Sequence, residues 1–160
     1  MLTIVQAETS EQISHAREMM LEYARSLGFD LCFQGFEEEL CLLPGKYAPP
    51  AGRLFLALWE ERPAGVIALR AMEESGVCEM KRLYVRSEFR GHQIGRKLAE
   101  YLIQEAANMG YSRMRLDTVP GNHDHAIAMY RELGFSEVGP YYRTPVDRTL
   151  FMELELARPK

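Results

Sequence analysis

Between the turn signal Glu73-Glu74-Ser75-Gly76 and Arg86-Ser87, residues 77–85 form an unbroken run rich in β-branched, aromatic and apolar side chains, which predicts a strand. From Ile94 onward the spacing changes. Ile94, Leu98, Tyr101, Leu102, Ala106 and Met109 recur at intervals of three and four, one face of an amphipathic helix that Gly110 ends. Polarity therefore switches from period two to period 3.6 across residues 86–91, and the rest of the chain is read outward from that junction.

Upstream, residues 2–7 predict a first strand, and Thr9-Ser10-Glu11-Gln12 has the form of a capping box opening a helix that runs to Leu27. Ile13, Ala16, Met20, Tyr23, Ala24 and Leu27 keep its apolar face, with Gly28 expected as a left-handed exit. Residues 36–43 predict a short helix with Phe36, Leu40 and Leu43 on one face, broken by Pro44-Gly45. A loop with two prolines follows. Residues 54–59, 65–71 and 77–85 then predict three strands joined by tight connections, an antiparallel meander. A strand over 114–119 should lie parallel to its predecessor, because a helix connects them. Asn122 or Asp124 is placed to cap a helix over 126–133, which Gly134-Phe135 closes, and strands near 136–138 and 150–156 complete the set.

Composition narrows the classes. A chain of 160 residues suits one domain with a substantial core, and a net charge of −4 with no face-wide basic excess argues against nucleic acid as a partner. No apolar run reaches membrane-spanning length and the first residues do not read as a signal peptide, so no membrane role and a cytoplasmic location are expected. Cys32, Cys41 and Cys78 lack C-x-x-C spacing and stand in apolar surroundings, which predicts buried or half-buried reduced thiols. His123-Asp124-His125 has no complementary cluster, so no metal is expected.

The candidate chemistry starts at the strand-to-helix junction. Gly91 and Gly95 open the helix, where backbone N–H groups and the helix dipole favour an anion such as a pyrophosphate. Arg90, Arg96 and Lys97 add positive charge where the dipole would prefer acids. Equally, the segment reads as a tight turn with solvated basic residues. His92 is open between contact with an anion and solvent, and Glu79 between a chemical role and an ion pair with Lys81 or Arg82. Tyr130 shares a helix face with Ala126, Ile127 and Leu133, which by spacing alone is a core position.

Residues 79–85, 90–95 and 126–135 together resemble the GNAT superfamily of N-acetyltransferases, and the resemblance extends over essentially the whole chain in element order. The superfamily's loop, Q/R-x-x-G-x-G/A, stands here as Arg90-Gly91-His92-Gln93-Ile94-Gly95, with Gln93 in place of the middle glycine. The helix pattern A-x-x-x-Y-x-x-x-G-F stands as Ala126 to Phe135 with Tyr130 at its tyrosine, and His123 occupies a place where asparagine is common, beside Asn122.

The resemblance implies an α/β fold of the α+β type: a mixed, mostly antiparallel central sheet with a splayed parallel strand pair and flanking helices. It implies acetyl-CoA in the splay, with the backbone of Leu83, Tyr84 and Val85 along the pantetheine arm. Amides of Gly91, His92, Gln93, Ile94, Gly95 and Arg96 would hold the pyrophosphate, with Arg90 and Arg96 as side-chain helpers and Asn122 or His123 near the cofactor arm. Tyr130 would give a proton to the departing sulfur, Glu79 would take the amine's proton directly or through water, and a backbone N–H near Leu83 would stabilise the oxyanion. The acceptor would be a primary amine, on a small metabolite or else on a protein or peptide. Glu37 to Glu39 would attract a cationic amine, whereas Lys81, Arg82 and Arg143 would recognise a carboxylate. Monomer and homodimer both remain open, with the final strands as candidate dimer edges. Two other classes stay in view: an acyl-CoA sensor needing neither Tyr130 nor Glu79, and a dinucleotide oxidoreductase using the same turn with Asp117 on a ribose. The G-x-x-x-G spacing speaks against the oxidoreductase.

Overall fold

The computed structural model describes residues 1–28, 30–121 and 124–157, apart from the side chain of Phe33. Its elements follow the hydrophobic pattern closely: β1 Leu2–Gln6, α1 Ser10–Ser26, α2 Phe36–Cys41, β2 Arg53–Trp59, β3 Arg62–Ala71, β4 Val77–Val85, α3 Ile94–Asn108, β5 Arg113–Thr118, α4 Asp124–Glu132, β6 Ser136–Val138 and β7 Leu150–Glu155. The capping box forms as expected. Gln12 N–H donates to Thr9 Oγ1 at 3.1 Å, and the Gln12 side chain accepts from the N–H of Thr9 at 3.1 Å and of Glu8 at 2.9 Å. At its other end α1 stops at Ser26 with Leu27 in extended conformation as its cap, so the exit lies one residue before Gly28. Gly134 does leave α4 left-handed, at φ 105°.

Among the described residues seven strands form one sheet in the order β1-β2-β3-β4-β5-β7-β6, each pair antiparallel except β4 beside β5. β7 is inserted between β5 and β6, so of the two final strands only β6 is an edge; the expectation that both offer dimer edges is corrected to that extent.

Alternating side chains give the sheet two apolar faces. Phe55, Ala57, Ile67, Leu69, Cys78, Met80, Met114, Leu116 and Met152 pack against Ile94, Leu98 and Leu102 of α3 and Tyr130 of α4. On the other face, Leu54, Leu56, Val66 and Ala68 pack against Ile13, Ala16, Met19 and Met20 of α1 and Phe36 and Leu40 of α2. Leu98 and Leu102 are fully buried, and each contributes roughly 1.5–3 kcal/mol by leaving water.

The cysteines depart from expectation. Cys78 is buried, and burial pushes its thiol up to about 12, but Cys32 and Cys41 are exposed. Cys32 opens a short 3-10 turn and Cys41 ends α2, positions where an apolar-looking neighbourhood in sequence does not imply an inward side chain. Among the described residues no helix is long and apolar enough to cross a membrane, and no cluster of His, Cys, Asp and Glu has the makings of a metal site.

Candidate active site

The parallel pair is short. β4 and β5 are in register only at Val77 with Arg113, Cys78 with Met114 and Glu79 with Arg115. Beyond them the strands part, and the gap is a slot walled by Met80 and Leu83 on one side and by Leu116, Thr118 and Val119 on the other, with Ala126 and Tyr130 of α4 and Tyr23 of α1 closing it. The slot continues as a groove past Tyr84, Val85, Met129, Arg90 and Gly95. After the register shift, Tyr84 and Val85 of β4 pair with β3 alone, so the other backbone edge lies along the groove.

At the groove's end stands the N-terminus of α3. Gly91 lies at φ 95°, and Gln93, the N-cap, is itself left-handed at φ 59° and ψ 27°. No side chain caps this helix and no acid occupies its first turn. Among the described residues, none of the backbone N–H groups of 91–96 donates a hydrogen bond within the protein. Six orphan donors at a dipole's positive end, with Arg90 beside them, fit an anionic diphosphate.

The neighbouring side chains are already engaged. Arg90 Nε donates to Val85 O at 3.2 Å, Arg96 pairs with Glu132 at 2.6 Å and Glu100 at 3.5 Å, and the His92 ring stacks on Trp59 at 4.3 Å between centroids. Ile94 is buried in the core, so its amide alone is turned to this use. Asn122 and His123 lie outside the described residues.

On the α1/α2 face the sheet changes character as it passes β4. Opposite Ile67 the β3–β4 register slips at Arg82, which is left-handed at φ 62°. A bulge of this kind places Lys81 and Arg82 on the same face of the strand. Both donate to Gln34 Oε1, Lys81 Nζ at 3.1 Å and Arg82 Nη1 at 2.8 Å. Arg82 also donates twice to Glu39 of α2, each time at 2.9 Å, in a fully buried bidentate pair. Burial alone would raise the Glu39 carboxyl, but the Arg82 guanidinium outweighs it and holds the group below the usual carboxylate range. Glu39 is thus committed to the fold, and of the acids expected to draw a cationic amine it is withdrawn.

Glu79 sits at the centre of the same face, almost fully buried. Its ladder partner Arg70 donates Nε to Oε1 at 2.7 Å, the Tyr141 hydroxyl donates to Oε2 at 2.6 Å, and Lys81 Nζ approaches at 3.8 Å. Burial works to raise its pKa, and Lys81, Arg70 and Tyr141 together bring it below the ordinary value. Next along the same loop, the Tyr142 hydroxyl donates to Asp117 Oδ2, and Gln34 Nε2 reaches both Asp117 and Tyr142. Consecutive tyrosines therefore hold one carboxylate on each of the two parallel strands, Glu79 at the end of the paired stretch of β4 and Asp117 beyond it on β5. Tyr141, Glu79, Arg70, Lys46, Lys81 and Arg115 line a cavity of about 430 Å³, which shares Gln34, Lys81 and Tyr142 with the slot.

Tyr130 projects from the buried face of α4 into the slot, its ring edge-on to Phe135 at 5.7 Å. None of the hydrogen bonds among the described residues uses its hydroxyl. Burial, then the charges of Tyr23 and Asp117, raise its pKa, so the phenol stays protonated through the neutral range. The Tyr130 ring packs in the core while the residue lines the slot.

A sequence model of the acetyltransferase (GNAT) family matches residues 16–135, three quarters of the chain. The chain belongs to the GNAT family. It is 35% identical over 158 residues to an uncharacterized N-acetyltransferase of Schizosaccharomyces pombe, covering 98% of this chain and 96% of that one. A GNAT acetyltransferase of Staphylococcus aureus superposes with a TM-score of 0.80 at 19% identity, covering 98% of this chain and all of the other. The PaiA N-acetyltransferase of Thermoplasma acidophilum, solved in complex with coenzyme A, superposes with a TM-score of 0.73 at 16% identity, covering 97% and 99% of the two chains. As a GNAT protein the chain is an acyltransferase, and the sensor and dinucleotide readings fall away.

Sequence reasoning did not single out Gln34, Lys46, Arg70, Tyr141 or Tyr142, which line the cavity beside the slot in this GNAT protein. For Arg70 the signal was its place opposite Glu79 in a meander; for the tyrosines it was an aromatic pair in a loop bounded by Pro140 and Pro145. Gln34 carried none.

Proposed function

We propose that this GNAT enzyme transfers the acetyl group of acetyl-CoA to a primary amine on a small molecule by direct attack. The observation that carries the reading is the splay of β4 from β5 ending at the N-terminus of α3, where the six amides of 91–96 donate to no described group. Leu83, Tyr84 and Val85 offer backbone along the groove to the pantetheine arm, and the amides of 91–96, with Arg90, receive the diphosphate. Bound acetyl-CoA supplies an acyl carbon activated as a thioester.

The slot beside Tyr130 is narrow, about 70 Å³, which suits a thioester end and excludes bulk water. An acceptor in the adjoining cavity meets it at Lys81 and Tyr142. A buried cation there disfavours the ammonium form of the acceptor, and attack needs the neutral amine. As the C–N bond forms and the C–S bond breaks, Tyr130 gives its phenolic proton to sulfur and regains one from solvent through the groove. The nitrogen's proton passes to Glu79 through the Tyr141 hydroxyl or a water. Glu79 is a weak base, but the nitrogen becomes far more acidic once it carries the new bond, so the transfer proceeds at that point. A backbone N–H at the bulge near Leu83 faces the developing oxyanion.

Tyr130→Phe tests the assignment. Its ring packing is kept, so the thermal shift produced by CoA should be nearly that of the unaltered protein, while kcat falls by about 10²–10⁴-fold. Loss of the CoA shift with turnover preserved would remove Tyr130 from the chemistry.

A further inference from the structure

We infer that the acceptor is a carboxylate-bearing amine, an amino acid or a close relative, whose carboxylate is held by Lys46 and Arg70 in the 430 Å³ cavity on the α1/α2 face. This rests on the acetyl-transfer reading above for the amine and goes beyond it for the rest of the molecule.

The argument is one of charge and unused donors. The outer wall is self-contained: Arg115 and Glu74 line it and, with Arg113 and Glu153 behind them, form a balanced network in which Arg115 lies 3.2 Å from Glu74 and 2.8 Å from Glu153. The inner wall is not. Lys46, Arg70, Lys81 and Arg82 share Glu39, Glu79 and Asp117, which leaves them one negative charge short. Glu73 belongs to the exposed rim.

The donors left over point to the same place. Arg82 donates to both oxygens of Glu39, while Lys46 approaches it only to 3.8 Å and makes no hydrogen bond among the described residues. Arg70 spends Nε on Glu79 and makes a long contact of 3.4 Å from Nη1 to Ala71 O, while Nη2 donates to no described group. Burial lowers the Lys46 pKa, Glu39 opposes this, and Arg70 and Arg82 lower it further, the mark of cations crowded together. A monoanionic carboxylate would relieve that crowding and take two charge-assisted hydrogen bonds.

Polarity within the cavity sets the orientation. Lys46 and Arg70 line it without lining the slot, whereas Tyr142 and Lys81 line both. A zwitterion with its carboxylate on Lys46 and Arg70 therefore turns its amine toward Asp117, Tyr142 and the thioester end. The volume admits an amino acid.

Binding decides the question without depending on turnover. Common amino acids, their primary amides and the amines left by removing the carboxylate would be titrated calorimetrically into the protein saturated with CoA, with acetylation of each followed in parallel. At least one amino acid should bind roughly ten- to a hundredfold more tightly than its amide and its decarboxylated amine. Lys46→Met should weaken that acid by about tenfold and narrow its advantage over the amide by the same factor, and Lys46→Arg should restore both. Lys46 is half-exposed and not hydrogen-bonded, so these variants keep the fold. Amides or plain amines that bind as well as the acids would overturn the inference, as would failure of every acid to bind or an unchanged preference in Lys46→Met. A bound acid that is never acetylated would leave the carboxylate site standing and sink the acetyl-transfer reading instead.

Discussion

Gln93 carries a conformation that glycine would adopt more cheaply. Its φ of 59° lies in the left-handed region, where a side chain costs about 1–2 kcal/mol, and it occupies the place of the family pattern's middle glycine. Gln93→Gly should change stability by less than about 1 kcal/mol, because relief of that strain is partly offset by the greater freedom of the unfolded chain. Gln93→Ile, with a β-branched side chain at the same φ, should lose about 1–3 kcal/mol and weaken CoA. Chemical denaturation of the two variants with and without CoA checks both, and equal effects would show that the left-handed turn is not what the loop requires. Residues of this kind were legible in the sequence, since Gly91, Gly95 and Gln93 follow a spacing tied to backbone geometry. Arg82 was not. The sequence offered it as a partner of Glu79 or of a bound carboxylate, whereas the bulge turns it with Lys81 toward Gln34 and onto Glu39.

At the scale of elements, helices and strands were read nearly to their ends because each has its own period, and the parallel placement of β5 followed from the helix that connects it. The insertion of β7 between β5 and β6, and the 3-10 turn at Cys32–Gln34 that delivers Gln34 to the splay, depend on pairings distant in sequence and left no local mark. One such distant pairing, Glu39 with Arg82, ties α2 to the bulge. Glu39→Gln should cost about 3–5 kcal/mol, since it strands a buried guanidinium, whereas Glu39→Leu combined with Arg82→Met should recover most of the loss. Urea titration would measure this, and a mild effect of the single change would mean that water reaches Arg82. Acetylation by the double variant should still fall, because Gln34 loses one of the donors that hold it.

For the whole molecule, acid is the informative variable. Glu39 and Glu79 have pKa values lowered on folding, so in mildly acid solution the unfolded chain binds protons that the native one refuses. The stability they contribute is complete above about pH 5 and drains away as pH falls through their folded values. The thermal midpoint should accordingly drop steeply on the acid side, and the Glu39→Leu/Arg82→Met variant should show a shallower fall; identical slopes would place the titrating groups elsewhere.

The place of β7 has a consequence for how the molecule comes into being. Residues 113–118 leave the ribosome well before residues 150–155, yet one side of β5 has β7 as its partner along its whole length. Until those late residues emerge, β5 presents a bare edge and the Tyr141-Tyr142 loop has no second anchor. The amino-terminal meander can pair during synthesis, whereas the ladder along that side of β5 closes only when residues 150–155 are available to it.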